Sequence, residues 1–312
     1  MKQFVTALLL VLAAVGSYRT AAQALPVSPA APLAPADTLW RKSLSTALSF
    51  QEATLSSNWR GGGVNSFGLN ALLNAHANYR QGIHSWDNEA DFLYAFVANQ
   101  GQGYRKSLDR LFLDTKYGRA LNPHWDVFVS LNLLTQFAPG YRYNDDANGQ
   151  QQAQLLSSTF APAFLTMAYG FEYHPTTYFK VRLAPFAPRL TFVGRPERFV
   201  AALGDTPYGV HLGHTTRWEV LAAQILAEFD KNIATNVNLK ARYVLFVNYG
   251  QDLALRRVDH RVDASLSAKV NRFVNVSLTG ILLYDYDQDR AVQYSQGLTL
   301  GVTYTARGYK AR

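Results

Sequence analysis

The stretch VDASLSAKVNRFVNVSLTGILLYDY, Val262 to Tyr286, decides the fold. Val262, Ala264, Leu266, Ala268 and Val270 alternate with Asp263, Ser265, Ser267, Lys269 and Asn271. Arg272 and Phe273 interrupt the pattern, and it then resumes. Val274, Val276, Leu278, Gly280, Leu282 and Tyr284 fall on one side, and Asn275, Ser277, Thr279 and Asp285 on the other. A period of two is the signature of a strand with one apolar and one polar face. So short an interruption permits only an antiparallel hairpin. Each arm runs to roughly ten residues, the length a tilted strand needs to cross a bilayer.

The same unit recurs along the chain. One strand carries Phe67, Leu69, Ala71, Leu73, Ala75, Ala77 and Tyr79 against Asn70, Asn74, His76, Asn78 and Arg80. Another sets Phe92, Tyr94 and Phe96 against Glu89 and Asp91, and a third alternates Val127, Val129, Leu131 and Leu133. The reading gives about twelve strands. The first covers Leu39–Ser56, the fourth Leu108–Tyr117, the sixth Phe160–Tyr173, the eighth Thr216–Phe229, and the last includes Leu298, Leu300, Val302 and Tyr304. Connections after odd strands are mostly long and polar, and those after even strands mostly short. The polar 138–158 segment reads as unable to bury enough apolar surface to fold by itself. Glu197–Leu203 reads as one helical turn. Pro185 and Pro188 lack N–H donors in the seventh strand and predict a bulge or break there.

The loop asymmetry is that of a transmembrane up-and-down β-barrel with long loops outside and short turns in the periplasm. Aromatic residues gather near the short turns: Tyr79, Trp86, Trp125, Tyr173, Tyr178, Phe229 and Phe273. Phe67, Phe137, Phe192, Trp218, Tyr249 and Tyr284 supply an outer girdle. Hydrophobic residues make up 48% of the 312, yet the mean hydropathy is only -0.11. Alternation hides apolar surface from an average in this way. The absence of cysteine excludes a disulfide framework and thiol chemistry. The net charge of +8 is partly terminal, with Lys2 and Arg19 at one end and Arg307, Lys310 and Arg312 at the other. No basic run of the nucleic-acid-binding type is present, so no nucleic acid is expected as a partner.

Lys2, the apolar run Phe4–Val15 and the small-x-small triplet Ala22-Gln23-Ala24 read as a signal peptide over residues 1–24, cleaved after Ala24. Residues 25–37 hold Pro26, Pro29, Pro32 and Pro35 among small residues and read as a tether. The barrel then occupies 38–307, with a basic tail at 308–312. Such a protein is expected in the outer membrane of a Gram-negative bacterium, with outer-membrane lipid around it and the barrel-assembly machinery as its insertion partner.

The motifs SNWRGGGVNSF, SWDN (Ser85–Asn88), KSLDRLFLDTKYG, TQFAPGYRY and FAPAFLTMAYGFEYHP are followed by LFVNY, KVNRF, LLYDYD and VQYSQGLTLGVTY. Together they resemble an uncharacterised family of bacterial outer-membrane β-barrel proteins, the domain-of-unknown-function family three-zero-seven-eight. The resemblance runs from about Leu39 to Tyr304. It implies a barrel in the outer membrane, with no established activity and no catalytic residues to carry over. One departure is that Tyr304 is followed by TARGYKAR, whereas such barrels often end on an aromatic of the last strand.

The polar faces supply the candidate functional residues. Lys180, Arg182, Lys240, Arg242 and Lys269 point into the lumen by parity, with Glu89, Asp91, Glu172 and Asp263. They either line a pore and bias its selectivity or pair and fill a narrow lumen. Asp285, Asp287 and Asp289 fall on one strand face at the outer rim and suggest either a calcium site or a solvated rim paired with Arg256, Arg257 or Arg290. Gly61, Gly62 and Gly63 lack the Lys-Ser/Thr of a phosphate loop. His211, His214 and Thr216 lack the matching serine and orienting group of a hydrolase. No cofactor, metal or catalytic residue is expected. The expected function is a passive channel or small-solute transporter. The alternatives are a plugged barrel acting through its loops or, more remotely, an outer-membrane hydrolase.

Overall fold

The computed structural model describes residues 39–53, 65–145, 150–250, 258–271, 274–287 and 289–308. The signal segment, the tether, the SNWRGGG loop, Arg256, Arg257 and Phe273 lie outside the described residues, as does all of the tail but Gly308.

The wall begins with β1 (Trp40–Ala53), β2 (Ser66–Gln81), β3 (His84–Asn99), β4 (Gly103–Asn122) and β5 (Trp125–Thr135). A separate hairpin of β6 (Gly140–Asp145) and β7 (Gln151–Ser157) follows. The wall resumes with β8 (Ala163–Thr176), β9 (Phe179–Phe186), β10 (Arg189–Phe192), β11 (Thr216–Glu219) and β12 (Ala222–Ala234). It ends with β13 (Val237–Asn248), β14 (Asp259–Lys269), β15 (Val274–Asp285) and β16 (Asp289–Arg307). Every pairing is antiparallel, and β16 pairs with β1 to close the sheet. The pairs β9/β10 and β11/β12 each occupy one place in the wall, so the barrel has twelve wall positions. This is the expected transmembrane antiparallel β-barrel.

The opening hairpin has the predicted register. Leu266 faces Leu278, and Ser267 faces Ser277 with their hydroxyls 3.0 Å apart. Along β16, Leu298, Leu300, Val302 and Tyr304 are 55–66% exposed, and the Gly297, Thr299, Gly301 and Thr303 between them face inward. An exterior of this kind belongs against lipid. The short-turn end carries rings in contact: Trp40 with Tyr79 at 5.3 Å, Trp125 with Tyr173 at 4.8 Å, and Tyr178 with Phe229 at 5.8 Å. At the other end Phe137 stacks on Phe92 at 4.8 Å.

The seventh wall position breaks where the prolines stand. β9 ends at Phe186 and β10 starts at Arg189, with Ala187 and Pro188 between them. Its neighbour breaks at the same level, between Glu219 and Ala222. Irregular bonds stitch the gap: Met167 N–H donates to Pro188 O at 3.0 Å, and Ala187 N–H to Ala222 O at 2.7 Å. The pairing of β8 with β9 slips between Tyr169 and Phe171. There a Cβ on Gly170 would stand 2.0 Å from Leu183 O, so only glycine admits this close approach.

Several sequence expectations are corrected. The strands run to different ends than alternation suggested: the fourth spans Gly103–Asn122, the sixth is Ala163–Thr176, and the eighth is the broken pair β11/β12, while the end of the first beyond Ala53 lies outside the described residues. The connections after β3 and β15 are tight turns, not long loops. In β4 the cause is a bulge. Ala95 pairs with Leu108 but Phe96 with Lys106, leaving Ser107 unpaired and reversing the alternation there.

The 138–158 segment contains a hairpin. Its composition is polar, but Leu155 packs on a small apolar cluster of Ala161, Val193, Phe199 and Val210, with Leu203 and Tyr208. That cluster joins the segment to the loop between β10 and β11. A 3-10 turn (Pro196–Phe199) and one α-helical turn (Val200–Leu203) there replace the single expected helical turn. The two loops thus share a core that neither composes alone.

Candidate functional site

Parity turns the odd residues of β3 and the even residues of β4 and β8 into the lumen, with the even residues of β9, β12 and β13 and the odd residues of β14. Their charged members meet there as a lattice. Arg182 donates from Nη1 to Asp114 at 2.8 Å and from Nε to Glu172 at 3.0 Å. Lys116 Nζ reaches Glu172 at 2.5 Å and Asp87 at 3.3 Å. Lys180 Nζ lies 2.6 Å from Glu228. Arg242 bonds Glu228 through Nε at 2.9 Å and Glu89 through Nη2 at 2.6 Å. Asp263 accepts from Arg110 at 2.8 Å and from Arg261 at 2.7 Å.

Of the candidates read from sequence, Lys180, Arg182, Arg242 and Asp263 are therefore members of the lattice. Lys240 stands at its edge, 3.5 Å from Glu89. Lys269 has lumen parity but ends β14 at the short-turn rim, exposed and apart from the rest. Glu89, Asp91 and Glu172 are the acidic partners. Sequence parity did not single out Lys116, Asp114, Arg110 or Glu228. Lys116 is 1% exposed. Its signal was its lumen parity, shared with Arg110 and Asp114 on the same strand.

The pairs reach across the barrel as well as along its wall. Arg242 on β13 meets Glu89 on β3, and Arg110 on β4 meets Asp263 on β14. These strands stand six wall positions apart, halfway round a twelve-strand ring.

The lattice lies between two chambers. The outer one, about 220 Å³, is walled by Leu93, Leu108, Leu134, Phe164, Val244 and Ile281, with Arg110, Asp263 and Arg242 also lining it. The inner one, about 610 Å³, is polar and includes His76, Arg80, His84, His174 and Lys240. Arg242 lines both chambers.

At the outer rim the three aspartates do not share one strand, and Asp285 and Asp289 pair across a turn. Asp287 lies in that turn, and its N–H donates to Asp285 Oδ1 at 3.0 Å. Asp285 is buried, while Asp287 forms an ion pair with Arg217. The side chain of Asp289 lies outside the described residues. Among the described residues no group of three or more histidine, cysteine or carboxylate side chains is placed to hold a metal. His211, His214 and Thr216 are exposed near this rim.

A second polar cluster holds the outer loop to the wall. The bulge at Ser107 places Lys106 and Asp109 on one side. Asp109 accepts the N–H groups of Phe137 at 3.1 Å and Ala138 at 2.8 Å. Lys106 Nζ donates to Asp109 at 3.0 Å, Gln136 Oε1 at 2.8 Å, Ala138 O at 2.7 Å and Ser157 Oγ at 3.1 Å. Further out, Tyr208 Oη donates to Leu156 O at 2.8 Å. Burial, with the Asp285 charge nearby, raises the Tyr208 phenol above its ordinary range, so it stays a donor.

The segment from the end of β1 to the start of β6 holds SWDN, KSLDRLFLDTKYG and the start of TQFAPGYRY. Residues 50–141 match the family described as a protein of unknown function, DUF3078. The family resemblance is thus supported on these residues, and the motifs beyond Tyr141 fall outside the match. No curated protein matches the chain.

Among solved structures, the translocator domain of the autotransporter NalP from Neisseria meningitidis is 10% identical, with a TM-score of 0.35. The match covers 86% of this chain and 88% of that one. An outer-membrane channel from Pseudomonas putida F1 is 12% identical with a TM-score of 0.36, over 90% of this chain and 100% of that one. The NanC porin is 8% identical with a TM-score of 0.38, over 86% and 100%. These likenesses concern the fold alone.

Proposed function

We propose that this protein is an outer-membrane channel for small solutes whose lumen is held shut by ion pairs running from wall to wall. The observation that carries the reading is the pair of contacts Arg110–Asp263 and Arg242–Glu89, each between strands on opposite sides of the ring. Here the obstruction is made of side chains, which can part by changing rotamers. Taking these charges out of water is costly, and each is set against a counter-charge that offsets the cost.

The apolar exterior supports an outer-membrane location, and the N-terminal pattern supports export with cleavage after Ala24. Insertion by the barrel-assembly machinery, among outer-membrane lipid, is part of the same reading. The protein is read as a non-enzyme.

Single-channel recording in a planar bilayer tests the proposal. The native protein passes little current. Removing the cross-lumen contacts in Glu89→Ala/Arg242→Ala raises conductance. A variant that is folded and inserted but as silent as the native protein would overturn the reading. It would favour the alternative of a closed barrel acting through its outer loops, for which the shared loop core of Leu155, Phe199 and Val210 speaks.

A further inference from the structure

The outer chamber differs from the rest of the lumen. Its walls are largely hydrocarbon, from Leu93, Leu108, Leu134, Phe164, Val244 and Ile281. Four guanidinium groups also line it, and each already has a carboxylate. Arg110 and Arg261 hold Asp263, Arg189 holds Asp259 and Arg242 holds Glu89. The matched charges give a charged solute little to bind. Polar side chains line it too, among them Asn132, Thr166, Gln224 and Asp285, but apolar surface predominates around about 220 Å³. An apolar cavity of roughly 150 Å³ stays dry and takes benzene.

The chamber also abuts the weakest part of the wall. Arg189 and Gln224 line it and sit on the strands that break at Ala187–Pro188 and at Val220–Leu221, and Thr166, also in its lining, sits on the neighbouring β8. Small side chains are prominent on the inner side of the break. Ala168, Ala184, Ala187 and Ala222 are all buried, with Phe128 beside the first three. On the outer side Met167, Val220 and Leu221 are each about half exposed, at 50%, 53% and 50%. Regular ladder pairing stops between Tyr169–Phe186 and Thr166–Arg189. Neither proline can supply a further donor there.

We infer that the outer chamber binds a small uncharged apolar molecule, of the size of one aromatic ring or a short alkyl chain. The same geometry makes the proline-broken seam the passage by which that molecule moves between chamber and membrane. An apolar solute is already concentrated in lipid and gains nothing from an aqueous route through a charged lattice. The inference does not depend on conductance, since the chamber lies on the outer side of that lattice.

The test uses the full-length mature protein in lipid nanodiscs with fluorobenzene as probe, followed by fluorine NMR against empty nanodiscs. The native protein is expected to show a bound resonance distinct from the lipid-dissolved one. Leu226→Trp, which fills the chamber, removes it, and Ile281→Phe serves if the first variant does not fold. For the passage, Tyr169→Cys/Phe186→Cys joins directly facing residues beside the break. Oxidation is expected to slow exchange about tenfold or more relative to the reduced form. No bound resonance in the native protein, or one that persists in a folded filled variant, overturns the site. Equal exchange in the oxidised and reduced forms overturns the passage.

Discussion

Arg110 Nη1 stands 2.8 Å from Asp263 Oδ1, although β4 and β14 face each other from opposite sides of the wall. A circular ring of twelve strands spaced by 4.7–4.9 Å and tilted is roughly 24 Å across. An extended arginine, an aspartate and the bond between them span only roughly 13 Å. The barrel is therefore drawn in at this level, with the short axis of its section along the Arg110–Asp263 line.

The lumen lattice is built from charge pairs, and Glu172 is its most deeply shared carboxylate. It is 4% exposed and takes both Lys116 and Arg182. Glu172→Gln leaves two buried cations short of a counter-charge and is expected to cost about 3–5 kcal/mol. Lys240, whose side chain is 39% exposed, should cost within about 1 kcal/mol when changed to alanine. Urea unfolding from lipid vesicles measures both, and equal losses would remove the lattice from the account of stability.

Lipid and lumen parity predict a second contrast. Leu278→Lys puts a charge against hydrocarbon and should cost about 2–4 kcal/mol near the midplane. Ser277→Lys, one residue away, enters the lumen beside Ser267 and should be milder. Refolding yield and unfolding midpoint in vesicles report the difference. Equal damage at the two sites contradicts the register.

Gly170→Ala adds a Cβ where Leu183 O leaves no room. A loss of about 1–3 kcal/mol is expected, as for overpacking. Gly280→Ala, whose Cβ would meet nothing within 4 Å, is the control. The heat-induced shift on a detergent gel should appear at lower temperature for the first variant only.

Phe199→Ala should act on the outer loops and not on the barrel. Phe199 is fully buried in their shared core, and truncating such a ring costs about 3–5 kcal/mol. Proteolysis within 136–162 should become faster while the unboiled barrel migrates as before. A loss of the barrel band would show that the loop core supports the wall.

An epitope inserted after Asn148, between β6 and β7, should be reached by antibody on intact cells. One inserted between Thr177 and Tyr178, in the tight turn after β8, should not. Labelling of the second alone would invert the topology.

Much of the wall was legible because alternation is a local property. Ser277 and Leu278 declare their faces without any knowledge of their neighbours. Pro185 and Pro188 declared the break for the same reason. What parity could not supply is which lumen residues meet. Arg242 and Glu89 lie 153 residues apart, and only the closed ring brings them together. Parity also failed where a bulge reversed it, at Ser107, which hid the clip formed by Lys106 and Asp109. Composition misjudged 138–158 because its apolar partners, Phe199 and Val210, come from another loop.

The closing seam has a consequence for how the protein is made. β1 and β16 meet over only seven residue pairs, from Ser43 with Arg307 to Ser49 with Gly301. The chain's first and last strands thus find each other only after the whole barrel has been synthesised. So distant a pairing is slow to form unaided, and until it forms both strands present open edges prone to wrong partners. The time between synthesis and closure is therefore the period in which this chain most needs a chaperone, and shortening that period should matter more to its yield than strengthening any contact in the finished barrel.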